Sequence, residues 1–144
     1  MVRIRTMRAD DAAPVAALAG ELGYPAAESD VRHRFAGIEG SADAAAFVAE
    51  SGEGQILGWV HVFVARLVES EPYVEVGGLV VAELSRGRGV GRALMTAAEE
   101  WTAASGCTTI RLRSNVLRDD AHRFYAHIGY ERVKTQHTFR KRVR

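Results

Sequence analysis

The spacing of apolar positions divides the chain into segments of strand period and of helical period. Val2 and Ile4 alternate with Arg3 and Arg5, which predicts a short opening strand. Asp10 and Asp11 stand where a helix would be capped, Pro14 fits its first turn, and Val15, Leu18 and Leu22 form an apolar stripe that ends at Gly23-Tyr24-Pro25. Val31, Phe35 and Ile38 predict a second helix starting near Ser29-Asp30. From residue 45 the period becomes strand-like. Ala46–Ala49 and the run Ile56–Leu67 predict two strands joined by a turn at Ser51-Gly52-Glu53-Gly54, and Tyr73–Val81 predicts another with Gly77-Gly78 in its middle. Paired glycines inside a strand point to a bulge, or to close approach of another backbone or a ligand.

Helical period returns at Val90, Leu94, Ala97, Ala98 and Trp101 and is closed by Ser105-Gly106. Thr108–Asn115 reads as a strand, with Ile110 and Leu112 alternating with Arg111 and Arg113. Asp119-Asp120 would cap a last helix carrying Ala121, Phe124, Tyr125 and Ile128, stopped by Gly129. Two final strands are predicted near Tyr130–Lys134 and His137–Lys141. Antiparallel strands followed by β-α-β-α-β order predict an α+β fold with a mixed, mostly antiparallel central sheet flanked by helices. No repeat, low-complexity block or linker interrupts the 144 residues, so a single domain over 1–144 is expected.

Composition narrows the class. Hydrophobic residues at 47% and charged residues at 26% suit a folded globular chain rather than a disordered one. No apolar run reaches the ~18 residues of a membrane span, and the N-terminus lacks a secretory pattern, so a cytoplasmic protein with no membrane partner is expected. A net charge of +1 gives no global attraction to nucleic acid. Of nineteen basic residues only Lys134 and Lys141 are lysine, so local arginine clusters matter more than the total. One is Arg86, Arg88 and Arg92; the other, the tail Arg140–Arg144, reads as a solvated end rather than a nucleic-acid patch. The lone Cys107 excludes an internal disulfide and is expected to be a buried structural thiol. No cluster of His, Asp and Glu has metal-ligand spacing, so no metal is expected.

The segment Ser85–Gly91 is where the pattern meets chemistry. A strand, a Gly-rich turn and a helix start together make an anion site: freed backbone N–H groups point outward, the helix dipole favours negative charge, and glycine lets oxygens come close. Two nucleotide motifs fail on spacing. A G-x-G-x-x-G fingerprint begun at Gly87 meets Arg92 at its third glycine, and no Gly-Lys pair exists for a phosphate loop of the G-x-x-x-x-G-K type. What remains is Arg-x-x-Gly-x-Gly, realised as Arg86, Gly89 and Gly91 after the apolar Leu79-Val80-Val81.

That motif resembles the acyl-CoA signature of the GCN5-related N-acetyltransferase (GNAT) superfamily. A second signature agrees in order and spacing: Ala121-His122-Arg123-Phe124-Tyr125 followed by Ile128-Gly129-Tyr130. The resemblance implies the GNAT fold and transfer of the acetyl group of acetyl-CoA to a primary amine, on a small molecule or on a protein or peptide. It implies that the backbone of Leu79, Val80 and Val81 pairs with the pantetheine amides. The amides of Arg86, Gly87, Arg88, Gly89, Val90, Gly91 and Arg92 would receive the pyrophosphate. An asparagine expected seven residues before the tyrosine is Arg118 here, with Asn115 nearby, so either side chain is a candidate for coenzyme contact. The string Ser114-Asn115…Tyr125 is similar to a subset that includes aminoalkylphosphonate N-acetyltransferases.

The reaction sets the remaining candidates. The acceptor is an ammonium at neutral pH and must lose a proton; the departing thiolate must gain one. Tyr125 matches the family's general-acid tyrosine by motif position, against the alternative of a core tyrosine beside Phe124. Glu75, six residues before Val81, matches a frequent general-base position, against the alternative of a solvated strand residue or a water chain as base. His61, in an apolar strand, is read as structural before catalytic, and His122 and Arg123 as exposed helix residues. A non-catalytic acyl-CoA-binding domain is the competing function, and it would need neither Tyr125 nor Glu75. An unpaired edge strand near the C-terminus would allow a homodimer.

Overall fold

A computed structural model describes all residues, 1–144. They divide into two compact units, Met1–Leu112 and Arg113–Arg144.

The first unit is a five-stranded sheet with three helices. Strands β1 (Val2–Thr6), β2 (Ala44–Ser51), β3 (Ile56–Ala65), β4 (Tyr73–Val81) and β5 (Ile110–Arg111) lie side by side in that order. The first three pairings are antiparallel and β4–β5 is parallel. Helices α1 (Ala12–Glu21) and α2 (Glu28–Glu39) pack on one face, where Met7, Val15, Leu18, Phe35, Val48 and Val80 form a buried cluster. Helix α3 (Val90–Ala104) brings Leu94 to the other face, beside Gly58 and below the fully buried Val60 and Val62. A Cβ on Gly58 would come within 2.7 Å of the Val80 carbonyl and 3.1 Å of Leu94 Cδ1, so glycine there sets how closely α3 approaches the sheet.

The expected bulge is present in β4. His61 stands opposite Gly78 and the next residue, Val62, stands opposite Val76, which leaves Gly77 as the extra residue. A Cβ on Gly77 would lie 2.5 Å from His61 Nδ1, and one on Gly78 2.9 Å from the Trp59 ring, so both positions exclude a side chain. The extra residue also reverses the alternation of β4. Val80 and Gly78 share a face with Trp59 and His61; past the bulge, that face passes to Glu75 and Tyr73, opposite Phe63 and Ala65.

Strand β5 is shorter than Thr108–Asn115. Only Val74 with Ile110 and Glu75 with Arg111 are paired, so β5 does not accompany β4 beyond Glu75. Cys107 is half-buried rather than buried, because it follows the end of α3 and lies outside the sheet. Asp10 and Asp11 do not cap α1 with their side chains. A short 3-10 turn, Ala9–Asp11, leads into the helix, and Asp11 turns inward to Arg5 instead.

The second unit contains α4 (Asp119–His127), with Asp119 and Asp120 in its first turn. Asn115 folds the entry: its side-chain oxygen accepts from Leu117 N at 2.9 Å and its carbonyl from Arg118 N at 3.0 Å. Gly129, at φ 97°, ends the helix, with Tyr130 N donating to the Tyr125 carbonyl at 2.8 Å. The strands expected near Tyr130–Lys134 and His137–Lys141 are absent, and both segments are irregular. Their alternation presents no buried face, Val133 being 73% and Phe139 92% exposed, and this unit holds no strand with which to form a ladder.

Candidate active site

The turn between β4 and α3 is Gly-rich and opens a helix, an arrangement that suits an anion. After a 3-10 turn at Glu83–Ser85, Gly87 (φ 77°) and Gly89 (φ 82°) adopt left-handed backbone that other residues resist, and Gly89 caps α3. Val90 is buried to 2% exposure and pins the first helical turn to the core, so it can meet a ligand only through its backbone. The first amide that returns from α3 into the turn is Ala93 N, to the Gly89 carbonyl at 3.0 Å, so Val90, Gly91 and Arg92 occupy the first helical turn, where N–H groups have no intrahelical partner. No side chain walls off the two glycines, because nothing lies within 4 Å of a Cβ placed on Gly87 or Gly89. Arg88 and Arg92 are exposed beside the turn. Arg86 turns back instead, donating from Nε to the Val81 carbonyl at 3.4 Å, and so ties the turn to the end of β4. A groove of about 390 Å³ flanks the same helix start, lined by Ile4, Gly89, Arg92, Ala93, Thr96 and Glu100.

Leu79, Val80 and Val81 lie on the stretch of β4 that pairs with β3 and that β5 does not accompany. At the last rung before that stretch, Glu75 is half-buried and stands in register with Arg111. Its face also carries Tyr73, Phe63 and His61. Arg111 lies over the buried Tyr73 ring, its guanidinium carbon 4.6 Å from the centroid. His61 is half-buried with its ring 5.7 Å from that of Phe63, and burial pushes its pKa below the ordinary value, so it is neutral at pH 7.

In the second unit, Tyr125 is half-buried and touches Phe124 and Tyr130 edge-on, at 5.2 and 6.0 Å between centroids. Burial raises its pKa above the usual tyrosine value, against a smaller opposing effect of Arg118. The hydroxyl therefore keeps its proton across the neutral range. Asn115 is exposed and spends its side-chain oxygen on the local turn; Arg118 is half-buried. His122 is half-buried rather than exposed, with Nε2 2.9 Å from the Asn115 carbonyl, and Arg123 is exposed.

Sequence reasoning missed Tyr73, Phe63 and Arg111 as members of the Glu75 face. The β3–β4 alternation carried a signal for the first two, but the parallel register that brings Arg111 there has no local signature. No group of three or more His, Cys, Asp or Glu is arranged to hold a metal ion.

An apolar strand, a Gly-rich turn and a helix start in this order suit the acyl-CoA-using class of transferase. The chain belongs to the GNAT acetyltransferase family, whose model, described as "Acetyltransferase (GNAT) family", matches residues 12–130. It is an acetyl-CoA-dependent N-acetyltransferase. It is 31% identical over 103 residues to aminoglycoside N(6')-acetyltransferase type 1 of Stenotrophomonas maltophilia, an alignment covering 69% of this chain and 67% of that protein. It is 40% identical over 57 residues to aminoalkylphosphonate N-acetyltransferase of Salmonella typhimurium, covering 40% of this chain and 37% of that protein. An aminoglycoside N-acetyltransferase solved in complex with CoA has the same fold, with a TM-score of 0.88 at 20% identity over 99% of this chain and 95% of that one.

Proposed function

We propose that the chain acetylates the primary amine of a small molecule, with residues 1–144 acting as one catalytic domain. The observation that carries this reading is the Gly-rich turn that opens α3, with Gly87 and Gly89 in left-handed backbone, set directly after β4. The amides of that turn, with Arg86 bracing it, suit a diphosphate at a helix start. The Leu79–Val81 backbone suits an amide-bearing arm lying along a strand. These residues fit acetyl-CoA, which when bound supplies an activated acetyl group; Asn115 or Arg118 would add a further contact. Curated relatives named for aminoglycoside and aminoalkylphosphonate acceptors favour a small molecule over a peptide.

Glu75 accepts the proton that the acceptor ammonium must shed. Its strand gives it a fixed place on a half-buried face, where a carboxylate is worth more than in bulk water. Tyr125 gives a proton to the leaving sulfur, and its burial keeps that proton available at neutral pH. Release of free thiol from acetyl-CoA in the presence of an amine panel tests both roles. Tyr125→Phe, which deletes one oxygen, is expected to lower kcat by about 10²-fold or more with KM for acetyl-CoA nearly unchanged. Glu75→Gln is expected to lose most activity on the acidic side of the pH profile, where more of the amine is protonated. Wild-type kcat in Tyr125→Phe at every pH would reduce Tyr125 to a packing residue. A Glu75→Gln enzyme with an unaltered profile would hand the base role to water.

A further inference from the structure

Two rings from β3 lie across the backbone of β4 at its bulge. Trp59 and His61 share a face of β3, and the pair Gly77-Gly78 offers no side chain to hold them off, so the rings come down on the strand itself. A Cβ on Gly78 would lie 2.9 Å from Trp59 Cη2 and Cζ3; one on Gly77 would lie 2.5 Å from His61 Nδ1 and 3.0 Å from its Cε1. The Nδ1–Cε1 edge of the imidazole therefore rests on the bulge, and Nε2 stands farther from the β4 backbone. The neighbours of His61 on β2 and β3 are apolar: the buried Ala46 opposite it, and Phe63 with its ring 5.7 Å away. Burial is the one cause of its lowered pKa, with no charged or hydrogen-bonding group adding to it. An apolar ring would roof Gly77 equally well without the cost of burying a polar one, so an imidazole at this place is explained by a partner from outside the chain.

We propose that His61 is a substrate-positioning residue, whose Nε2 accepts a hydrogen bond from the acceptor's amino group and so turns the nitrogen lone pair toward the thioester. This rests on the acetyltransferase reading, which lays the diphosphate at the Arg86–Arg92 turn and the amide-bearing arm along Leu79–Val81. Leading away from the turn, Gly78 comes three residues before Val81, about 10 Å along the strand, so the acetyl end of the arm arrives at the glycine pair. There β4 has no side chain and the imidazole lies over it. A deprotonated primary amine has two N–H bonds and one lone pair; a bond from one N–H to the bare nitrogen of a neutral imidazole limits where the lone pair can point. The C–N bond then forms, the C–S bond breaks, the nitrogen sheds its proton to the base and the sulfur takes one from the general acid. His61 ends as it began, and its role is the same whether Glu75 or water is the base.

Thiol release from acetyl-CoA is measured in wild type, His61→Phe and His61→Gln with an amine panel that includes 2-aminoethylphosphonate, neamine and ethylamine. His61→Phe keeps a ring over Gly77 and loses the hydrogen-bond acceptor; His61→Gln loses the ring and supplies a side-chain carbonyl in its place. His61→Phe is expected to lower kcat/KM for the amine by about ten- to thirtyfold, with KM for acetyl-CoA and the thermal shift it produces unchanged. His61→Gln is expected to stay within about threefold of wild type in kcat/KM even where its Tm falls. A role in packing alone reverses that order, leaving His61→Phe near wild type and His61→Gln impaired; this result overturns the proposal, as does an equal loss in both. If His61→Phe folds poorly, His61→Leu against His61→Gln makes the same comparison between two ringless side chains of similar size. In each of these cases amine-dependent release by wild type leaves the acetyltransferase reading standing. Absence of thiol release with every amine would remove that reading and this one together.

Discussion

Arg5, on β1, is held by both oxygens of Asp11 at 2.9 Å each, and its second nitrogen also reaches Glu50 at 3.2 Å. The Arg8 backbone N–H adds a further bond to Asp11, at 2.7 Å. Side-chain exposure is 13% for Arg5 and 7% for Asp11, so the pair sits largely out of water. Burial alone would raise the Asp11 pKa, but the Arg5 hydrogen bonds and the Arg8 amide together hold it below the usual carboxylate range. A carboxyl whose folded pKa is depressed stabilises the fold fully above its unfolded pKa of about 4, and that contribution is lost as pH falls through the folded value. Asp11→Asn strands a partly buried guanidinium and is expected to cost about 2–3 kcal/mol at pH 7, slightly less than a fully sealed pair. Thermal melts from pH 7 to pH 3 check this: the gap between wild type and Asp11→Asn should stay constant down to about pH 5 and narrow below about pH 4. A gap that does not change with pH would show that Asp11 acts through shape rather than charge.

At the scale of elements, β4 carries most of the functional geometry, because its bulge decides which side chains share a face. Glycine is required at the bulged position because His61 occupies the space above Gly77. Gly77→Ala places a methyl 2.5 Å from His61 Nδ1, so the ring must move, at an expected cost of about 1–3 kcal/mol. His61→Ala empties that space, so the two changes should be non-additive: Gly77→Ala is expected to cost much less in the His61→Ala background. An additive cycle, measured by denaturant unfolding, would place the strain elsewhere. The Gly77-Gly78 bulge was legible because paired glycines inside a strand mark a bulge or a close approach, and the Arg86–Gly91 turn because Gly87 and Gly89 answer to left-handed backbone. The inward turn of Asp11 was not, since an acidic residue before a helix reads locally as a cap while its partner Arg5 is supplied by tertiary packing. Alternation at Tyr130–Lys134 and His137–Lys141 met the local condition for strands, but a strand also needs a neighbour, which periodicity cannot announce. The same limit hid the placing of Arg111 beside Glu75, and it left Tyr125 readable by motif but not by surroundings.

For the molecule as a whole, no helix is long and apolar enough to cross a membrane, and the net charge is only +1, so ligand recognition falls to local arrays rather than a global field. On the proposed reading, the turn from Arg86 to Arg92 and the β4 backbone at Leu79–Val81 would make different demands on a ligand. The turn would accept any diphosphate, whereas the strand backbone would reward only a chain that carries its own amides. Acetyl-CoA meets both demands, while NAD and ATP meet the first alone. A ligand that binds only the folded state at a hundred times its Kd stabilises it by about 2.7 kcal/mol, which for a chain of this size raises Tm by about 10 °C. Acetyl-CoA at saturation is expected to produce a shift of that order, and NAD and ATP at equal concentration clearly smaller ones. Gly89→Val should abolish the acetyl-CoA shift while leaving the circular dichroism spectrum near wild type. At φ 82° a β-branched residue forces the turn to rearrange and its amides to scatter, yet no neighbour lies within 4 Å to transmit the strain into the core. Equal shifts from all three ligands would identify a general diphosphate turn and remove the role assigned to the β4 backbone. A folded Gly89→Val protein that keeps the full acetyl-CoA shift would show that the turn does not hold the coenzyme.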